Sequence, residues 1–320
     1  MGPSGMLSLH EQVPFGGSRD TARLLGRSEQ AIDCESRLDA ELNCRAMTSR
    51  VERSQEIDVR TYGNAGSPVF ILHGGPGAAG YMAPVCRELS DAFAVFEPLQ
   101  RLSGVVPLTV AQHVSDLRNV VERYSRGRIV TFVGHSWGAM LALALAAEYP
   151  GLVRGLALIG CGTFDTASRR ILEATIEQRM TPSIRLRLRG LSRTIADSDV
   201  RMCVMGRLVE PVYSYELEPH TDETEYHDSQ GHRESWQDIL RLQREEVYPA
   251  RFSRIGAPAL MVHGAEDPHP GGLIRASLRE VMPQLEYVEL ARCGHYPWWE
   301  RHAKDDFFAV LRDWLVWNMT

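Results

Sequence analysis

Short apolar segments recur along most of the chain, each bounded by glycine, proline or polar residues. Such segments are typical of strands buried on both faces of a parallel sheet. They predict strands at residues 69–73, 93–96, 129–133, 153–159, 258–262 and 285–290. Segments with helical spacing separate them, so the pattern predicts an α/β fold: a mostly parallel, doubly wound sheet with helices on both faces.

The segments between the strands predict several helices. Thr109 can cap a helix whose apolar residues recur on one face. This apolar face contains Val110, Val114, Leu117 and Val121. A second helix is expected over residues 139–149, where Pro150 ends it, and a third closes the chain over residues 307–317. The core domain is therefore assigned to residues 51–162 and 251–320.

Residues 163–250 interrupt the alternation of strands and helices. This segment is helical in character, lacks an apolar strand, and changes from arginine-rich to glutamate-rich along its length. We interpret it as a helical cap inserted between two strands of the sheet. Its acidic half contains three candidates for binding a substrate ammonium group, Glu210, Glu216 and Glu218, although a run of charges is more often a solvated face.

Residues 1–50 show no sustained period of 2 or 3.6, and their few apolar residues are isolated. We expect this segment to be a poorly ordered leader or arm. One hypothesis is that Met47 is the natural start of the protein and that residues 1–46 are an upstream leader. The alternative is a genuine lid or interaction arm. Expression from Met47 would distinguish the two, because only loss of an arm should reduce activity or solubility.

Composition and charge exclude several classes of function. The 320 residues are 44% hydrophobic with a net charge of −6, which gives no electrostatic reason to bind nucleic acid or a membrane surface. No apolar run reaches the ~18 residues of a membrane span. The cysteines form no C-x-x-C pair and no metal-ligand cluster with histidine, so we expect free thiols, no metal and a cytoplasmic location. They are Cys34, Cys44, Cys86, Cys161, Cys203 and Cys293.

The segment Gly134–Gly138 reads G-x-S-x-G, directly after a predicted strand and before a predicted helix. This is the context that a nucleophile elbow requires. The sharp turn projects Ser136 away from the sheet, and the glycines two positions away avoid clashes. Ser136 then lies at a helix N-terminus, where backbone N–H groups favour developing negative charge. We therefore predict that Ser136 is a catalytic nucleophile.

The segment His73–Gly77 reads H-G-G-P-G and follows the first buried strand. With this kind of elbow, one oxyanion donor is the N–H of the residue after the nucleophile, and the other comes from such a loop. The predicted donors are the N–H groups of Trp137 and Gly75, with Gly74 as the alternative to Gly75.

A serine nucleophile needs a base, and the base needs an orienting carboxylate, in the chain order Ser, acid, His. Asp267 follows the predicted strand 258–262, with Glu266 as a weaker rival. His295 lies in a loop after the predicted strand 285–290. The carboxyl ends of parallel strands meet at one sheet edge, so Asp267 and His295 should reach Ser136. The remaining histidines considered are interpreted as packed or exposed: His73, His113, His135, His220, His227, His232, His263 and His302.

From about residue 57 to 318 the chain resembles α/β-hydrolase-fold serine hydrolases. The motifs His73–Gly77 and Ser136–Gly138 are similar to those of the proline iminopeptidase branch. The resemblance implies the α/β-hydrolase fold, a Ser136–Asp267–His295 triad under a helical cap, and no metal or organic cofactor.

Two departures from the iminopeptidase pattern favour a different substrate. That branch has a D-Q-R-G-type loop where this chain has residues 97–104, and glycine where this chain has His135, a residue common there in esterases. We therefore expect hydrolysis of a small ester. The alternatives are a proline iminopeptidase-like aminopeptidase and a non-catalytic binding protein on a hydrolase scaffold. The sequence does not determine the oligomeric state.

Overall fold

The computed structural model of the protein describes residues 57–319. Within this range the strands are β1 (Val59–Tyr62), β2 (Pro68–Leu72), β3 (Ala78–Ala79), β4 (Ala94–Pro98), β5 (Val130–His135), β6 (Val153–Ile159), β7 (Tyr226–His227), β8 (Ala259–Gly264) and β9 (Leu285–Leu290). Seven of them form one sheet in the order β1-β4-β2-β5-β6-β8-β9, and β3 pairs with β7 in a small second sheet.

The large sheet is parallel except at one edge, where β1 runs antiparallel to β4. This confirms the predicted mostly parallel sheet. The chain moves from β2 outward to β4 and then returns to β5 on the other side of β2. Strand order therefore reverses between β2 and β5. In open α/β sheets, ligands bind at the carboxyl ends of the strands that flank such a switch point.

Helices cover both faces of the sheet. Outside the predicted cap they are α1 (Ala83–Leu89), α2 (Val110–Tyr124), α3 (Trp137–Glu148), α8 (Gly271–Arg279) and α9 (Lys304–Met319). Alternate residues of β2 face opposite cores. Phe70 and Leu72 belong to the core under α2 and α3, and Val69 and Ile71 belong to the core under α1 and α9. A strand buried on both sides reads as a continuous apolar run, which is why the sequence identified it.

The ends of the predicted elements differ from the observed ones by a few residues. Thr109 caps α2 as predicted, accepting a hydrogen bond from the N–H of Gln112 at 3.1 Å. α3 begins at Trp137, two residues before the predicted start, because the chain turns into the helix directly after Ser136. α9 extends beyond the predicted range 307–317 at both ends.

Four helices lie between β6 and β8, within the predicted cap. They are α4 (Thr166–Arg179), α5 (Pro182–Thr194), α6 (Ser198–Tyr213) and α7 (Ser229–Arg244). The segment also contains the short strand β7, whose two residues pair with β3 and form no apolar run. Such a short strand exists only through its tertiary partner and leaves no pattern of its own. The predicted leader or arm, residues 1–50, lies outside the described residues.

Cysteine pairing also differs in part from expectation. Cys86, Cys161 and Cys293 are free and buried, whereas Cys203 is disulfide-bonded. The expectation of free thiols throughout was therefore wrong, because pairing depends on distance in the folded chain and not on spacing in the sequence. Between residues 57 and 319, no helix combines the length and the apolarity that a bilayer crossing requires.

Candidate active site

Ser136 occupies a strained turn between β5 and α3. Its φ of 54° and ψ of −116° lie in a region that residues with a side chain rarely adopt. The flanking glycines make this turn possible. A Cβ on Gly134 would collide with the backbone of Gly138, and a Cβ on Gly138 would collide with the carbonyl of Leu72. The elbow geometry thus explains both glycines of the motif.

The end of β6 joins Ser136 to the predicted base. The N–H of Ser136 donates to the carbonyl of Ile159 at 2.9 Å. The next residue, Gly160, has a φ of +51°, and a Cβ there would lie 2.9 Å from Nδ1 of His295. The chain neighbour of Ser136, His135, contacts His295 as well, with ring centroids 4.5 Å apart. The structure thus places Ser136 beside the loop that carries His295.

Asp267 and His295 are hydrogen-bonded to each other. Oδ2 of Asp267 lies 2.6 Å from Nδ1 of His295, and both side chains are almost completely buried. Since a carboxylate can only accept, Nδ1 of His295 carries the proton and Nε2 keeps its lone pair. The rival acid, Glu266, is instead half-exposed and lies 3.6 Å from Arg179. The geometry favours Asp267 as the orienting carboxylate.

Burial and charge act in opposite directions on this pair. Burial lowers the pKa of His295 below its ordinary 6.5, and the Asp267 carboxylate opposes this shift without cancelling it. Burial alone would raise the pKa of Asp267, but three surrounding imidazoles, His295 first among them, hold it well below its ordinary value. At neutral pH the arrangement is a neutral imidazole bonded to an ionised carboxylate, which is the form a general base requires.

We expect the activity to persist below pH 6.5. A base works only while unprotonated, and a lowered pKa means that His295 takes up its proton at a lower pH than an ordinary histidine. The acid limb of a kcat/KM profile for the free enzyme should therefore have its midpoint below 6.5. A midpoint at or above 6.5 would show that another group, or another state of His295, controls the rate.

One of the two candidate donors in the H-G-G-P-G loop is already hydrogen-bonded. The N–H of Gly74 already donates to Oη of Tyr81 at 2.6 Å. Gly75 is the next residue, with a φ of +112° that favours glycine. On the other side, Trp137 is the first residue of α3, so its N–H has no partner within the helix. Because Tyr81 already occupies the N–H of Gly74, Gly75 is the better candidate for the oxyanion donor opposite Trp137.

Gln100 links the two sides of this candidate oxyanion hole. Its Nε2 donates to the carbonyl of His73 at 2.9 Å, and its Oε1 accepts from Nε1 of Trp137 at 2.8 Å. Its own N–H lies 3.2 Å from Nε2 of His73. Gln100 is buried. Sequence analysis did not select it, because nothing in the sequence shows that the loop after β4 crosses between β2 and α3.

Replacing Gln100 by alanine should lower kcat about 10- to 100-fold with little change in KM, since small misplacements of catalytic donors cost rates of this order. Steady-state kinetics on one ester would measure both constants. Gln112→Ala is the matched control, because Gln112 is exposed on α2. Equal activity of the two variants would rule out a positioning role for Gln100.

His135 is a hydrogen-bonding residue rather than the simple packed neighbour that the sequence suggested. Oη of Tyr81 accepts from Gly74, so its own proton points to Nδ1 of His135, 2.7 Å away. Nε2 of His135 then donates to the carbonyl of His295 at 2.9 Å. Burial holds the pKa of His135 well below 6.5, which keeps the ring neutral for this arrangement. Tyr81 and His135 thus connect the glycine loop to the His295 loop.

Sequence analysis missed His269. Its Nδ1 lies 2.7 Å from Oδ1 of Asp267, and its ring stacks on that of His295. Its position two residues after Asp267 was the available signal. Among the described residues, one group of three His, Cys, Asp or Glu side chains has ligand atoms close enough together to hold a metal ion. It consists of Asp267, His269 and His295. The two imidazole nitrogens are at hydrogen-bonding distance from the carboxylate.

The three glutamates proposed for an ammonium group are all near cationic or potentially cationic partners. Oε1 of Glu210 lies 3.3 Å from Nε2 of His220. Glu216 pairs with Arg301 at 2.8 Å, and Glu218 pairs with Lys304 at 3.3 Å. Glu218 also lines a surface pocket of about 410 Å³ whose lining includes none of Ser136, Asp267 and His295. These ion pairs favour the interpretation of a largely solvated face.

Comparison with known proteins identifies the family and the fold. A model of the alpha/beta hydrolase family matches residues 69–310. The proline iminopeptidase of Neisseria gonorrhoeae is 38% identical over 114 residues, which cover 32% of this chain and 36% of that protein. The chain thus spans about a third of the length of the iminopeptidases it matches at this identity.

Two longer matches cover most of the chain. The 2-hydroxy-6-oxononadienedioate/2-hydroxy-6-oxononatrienedioate hydrolase 1 of Dechloromonas aromatica is 29% identical over 301 residues, 85% of this chain and 96% of that protein. The structure of a thermophilic esterase from Thermogutta terrifontis superposes with a TM-score of 0.56 at 19% identity, covering 82% of this chain and 94% of that one. At that identity the second match demonstrates a shared fold.

Proposed function

Because the chain belongs to the alpha/beta hydrolase family, we propose that this hydrolase cleaves a small ester through an acyl-enzyme on Ser136. The observation that carries the proposal is the strained elbow of Ser136 beside the buried Asp267–His295 hydrogen bond. A serine becomes a nucleophile when such a base accepts its proton.

In the proposed mechanism, His295 Nε2 removes the proton of Ser136 Oγ as that oxygen attacks the ester carbonyl. The N–H groups of Trp137 and Gly75 stabilise the oxyanion, and His295 returns the proton to the departing alcohol. A water molecule activated by His295 then releases the acid and regenerates Ser136. Asp267 holds the imidazole orientation and stabilises the imidazolium throughout. The chemistry uses only side chains, backbone N–H groups and water.

We assign residues 163–250 the role of the cap over this site. The carbonyl of Tyr213, the last residue of α6, accepts from the N–H of His295 at 2.8 Å. At the other side, β7 pairs with β3, directly after the glycine loop. The segment thus contacts the loops on both sides of Ser136, and its helices would shape the pocket for a small-molecule substrate.

A cytoplasmic location is part of the proposal. The free thiols of Cys86, Cys161 and Cys293 are consistent with a reducing compartment, whereas the disulfide at Cys203 is more typical of an oxidising one. Thiol titration of the protein isolated under native conditions would decide between them.

An iminopeptidase-like activity is the second candidate, favoured by the local 38% identity to the Neisseria gonorrhoeae enzyme. Such an activity needs an uncompensated carboxylate near the site to bind the substrate ammonium group. The ion pairs of Glu216 and Glu218 disfavour them for this role, because Arg301 and Lys304 already compensate their charge. We therefore rank the ester above the peptide.

Parallel assays should show faster turnover of short p-nitrophenyl esters than of proline or alanine arylamides. Glu210→Gln, Glu216→Gln and Glu218→Gln should leave the KM for the ester unchanged. If one of them instead binds an ammonium group, its replacement should raise the KM for the arylamide about 10- to 100-fold, the effect of losing one charge-assisted hydrogen bond. Fast arylamide turnover that depends on one of these glutamates would make the peptidase the better-supported function.

A fluorophosphonate probe separates both enzymes from a non-catalytic binding protein. Such a probe phosphonylates a serine only when a base activates it. We expect stoichiometric labelling at Ser136. An unlabelled, folded protein would favour the binding protein.

A further inference from the structure

The triad acid has a second imidazole on its other oxygen. Nδ1 of His269 lies 2.7 Å from Oδ1 of Asp267, while Nδ1 of His295 lies 2.6 Å from Oδ2. The backbone N–H of His269 also donates to Oδ1, at 2.9 Å. A carboxylate accepts but does not donate, so Nδ1 of His269 must carry its proton. Each carboxylate oxygen therefore receives an imidazole N–H.

The two imidazoles also pack on each other. The rings of His269 and His295 are stacked, with centroids 4.6 Å apart and an interplanar angle of 19°. Both residues are buried, and Tyr213 contacts both rings. The carboxylate of the neighbouring Glu266 lies instead 3.6 Å from the guanidinium group of Arg179. His269 is thus the only described side chain besides His295 that bonds Asp267 at less than 3 Å.

We propose that His269 is a positioning residue for the reaction. Its Nδ1–H fixes the carboxylate plane of Asp267 so that Oδ2 faces His295. This inference rests on the proposed function and deepens it. Without the imidazole bond, only the backbone N–H of His269 holds Oδ1, so the carboxylate has more freedom to rotate about its Cβ–Cγ bond and controls the His295 tautomer and orientation less tightly.

Three variants separate the hydrogen bond from the ring. His269→Phe keeps a stacking ring but has no donor. His269→Asn keeps a donor, because the amide nitrogen is two bonds from Cβ, as Nδ1 is in histidine. His269→Leu has nearly the shape of the asparagine variant but no donor, and it serves as the second donor-free test if the phenylalanine variant does not fold. All three retain the backbone N–H bond to Asp267.

Steady-state kinetics on one p-nitrophenyl ester, normalised to fluorophosphonate-titrated sites, give the readout. We expect His269→Phe and His269→Leu to lower kcat at least about tenfold with KM within about twofold, because the loss is in orientation and not in substrate binding. His269→Asn should keep kcat within about threefold of the native enzyme. If His269 only filled space, the smaller asparagine side chain would not restore kcat above the level of the donor-free variants.

The inference is overturned if the donor-free variants keep native kcat, or if the asparagine variant loses as much as they do. Ser136→Ala, assayed alongside, separates this failure from failure of the proposed function. If Ser136→Ala is inactive and the donor-free variants are not, only the role of His269 falls. If Ser136→Ala retains activity, the proposed mechanism falls and the positioning role falls with it.

Discussion

Ser136→Ala is expected to lower kcat by about 10⁴-fold or more while leaving the protein folded, because the members of a triad act as a unit. The substitution removes only Oγ, which accepts no hydrogen bond on which the described elbow depends. The turn itself is held by the backbone bond from Ser136 to Ile159 at 2.9 Å. Kinetics on a short ester, with circular dichroism and thermal melting as folding checks, would measure the effect.

A folded Ser136→Ala protein that keeps a tenth of the native kcat would refute the assignment of the nucleophile. His295→Ala should reduce kcat by a comparable factor, since Ser136 without its base is an ordinary alcohol. The residual rate in both variants would come from the oxyanion donors and from substrate binding.

Asp267→Asn is expected to lower kcat about 10²- to 10⁴-fold, because an amide in that position favours the wrong tautomer of His295. The amide can offer an N–H to Nδ1 of His295, which would move the imidazole proton to Nε2, where the lone pair is needed. The native carboxylate bonds Nδ1–H at 2.6 Å and avoids this state. Kinetics on the same ester would give the ratio.

Glu266→Gln is the matched control for that experiment. Glu266 precedes Asp267 in the chain, but its side chain is half-exposed and faces Arg179. The change should leave kcat within about twofold, as expected for a screened surface pair. A larger loss in Glu266→Gln than in Asp267→Asn would mean that the orienting acid is Glu266.

The elements that the sequence predicted well are those whose signal is local. Residues buried on both faces of a parallel sheet read as apolar runs, so β2, β5, β6 and β8 were located to within a few residues. The turn at Ser136 was equally predictable, because its strained φ and close packing require Gly134 and Gly138 on either side. Asp267 and His295 followed from their places after two strands whose carboxyl ends share one edge.

The connections around those residues were decided only by the tertiary structure. Gln100, Tyr81 and His269 reach the site from separate loops, and no spacing in the sequence records which atoms they meet. The preference for Gly75 over Gly74 depends on a single bond from Tyr81 that occupies the N–H of Gly74. Hydrogen bonds are short and directional, so their partners follow from folded distances and not from residue type.

The division between sequence and structure has one physical cause. The sequence by itself determined the sheet, the elbow and the candidate triad, because burial and backbone strain restrict which residues can occupy a given position. Only the tertiary structure decided the pairing of Glu216 with Arg301, the disulfide at Cys203 and the second imidazole on Asp267. Polar side chains tolerate many positions, and their role is set by the neighbour that folding brings within hydrogen-bonding distance.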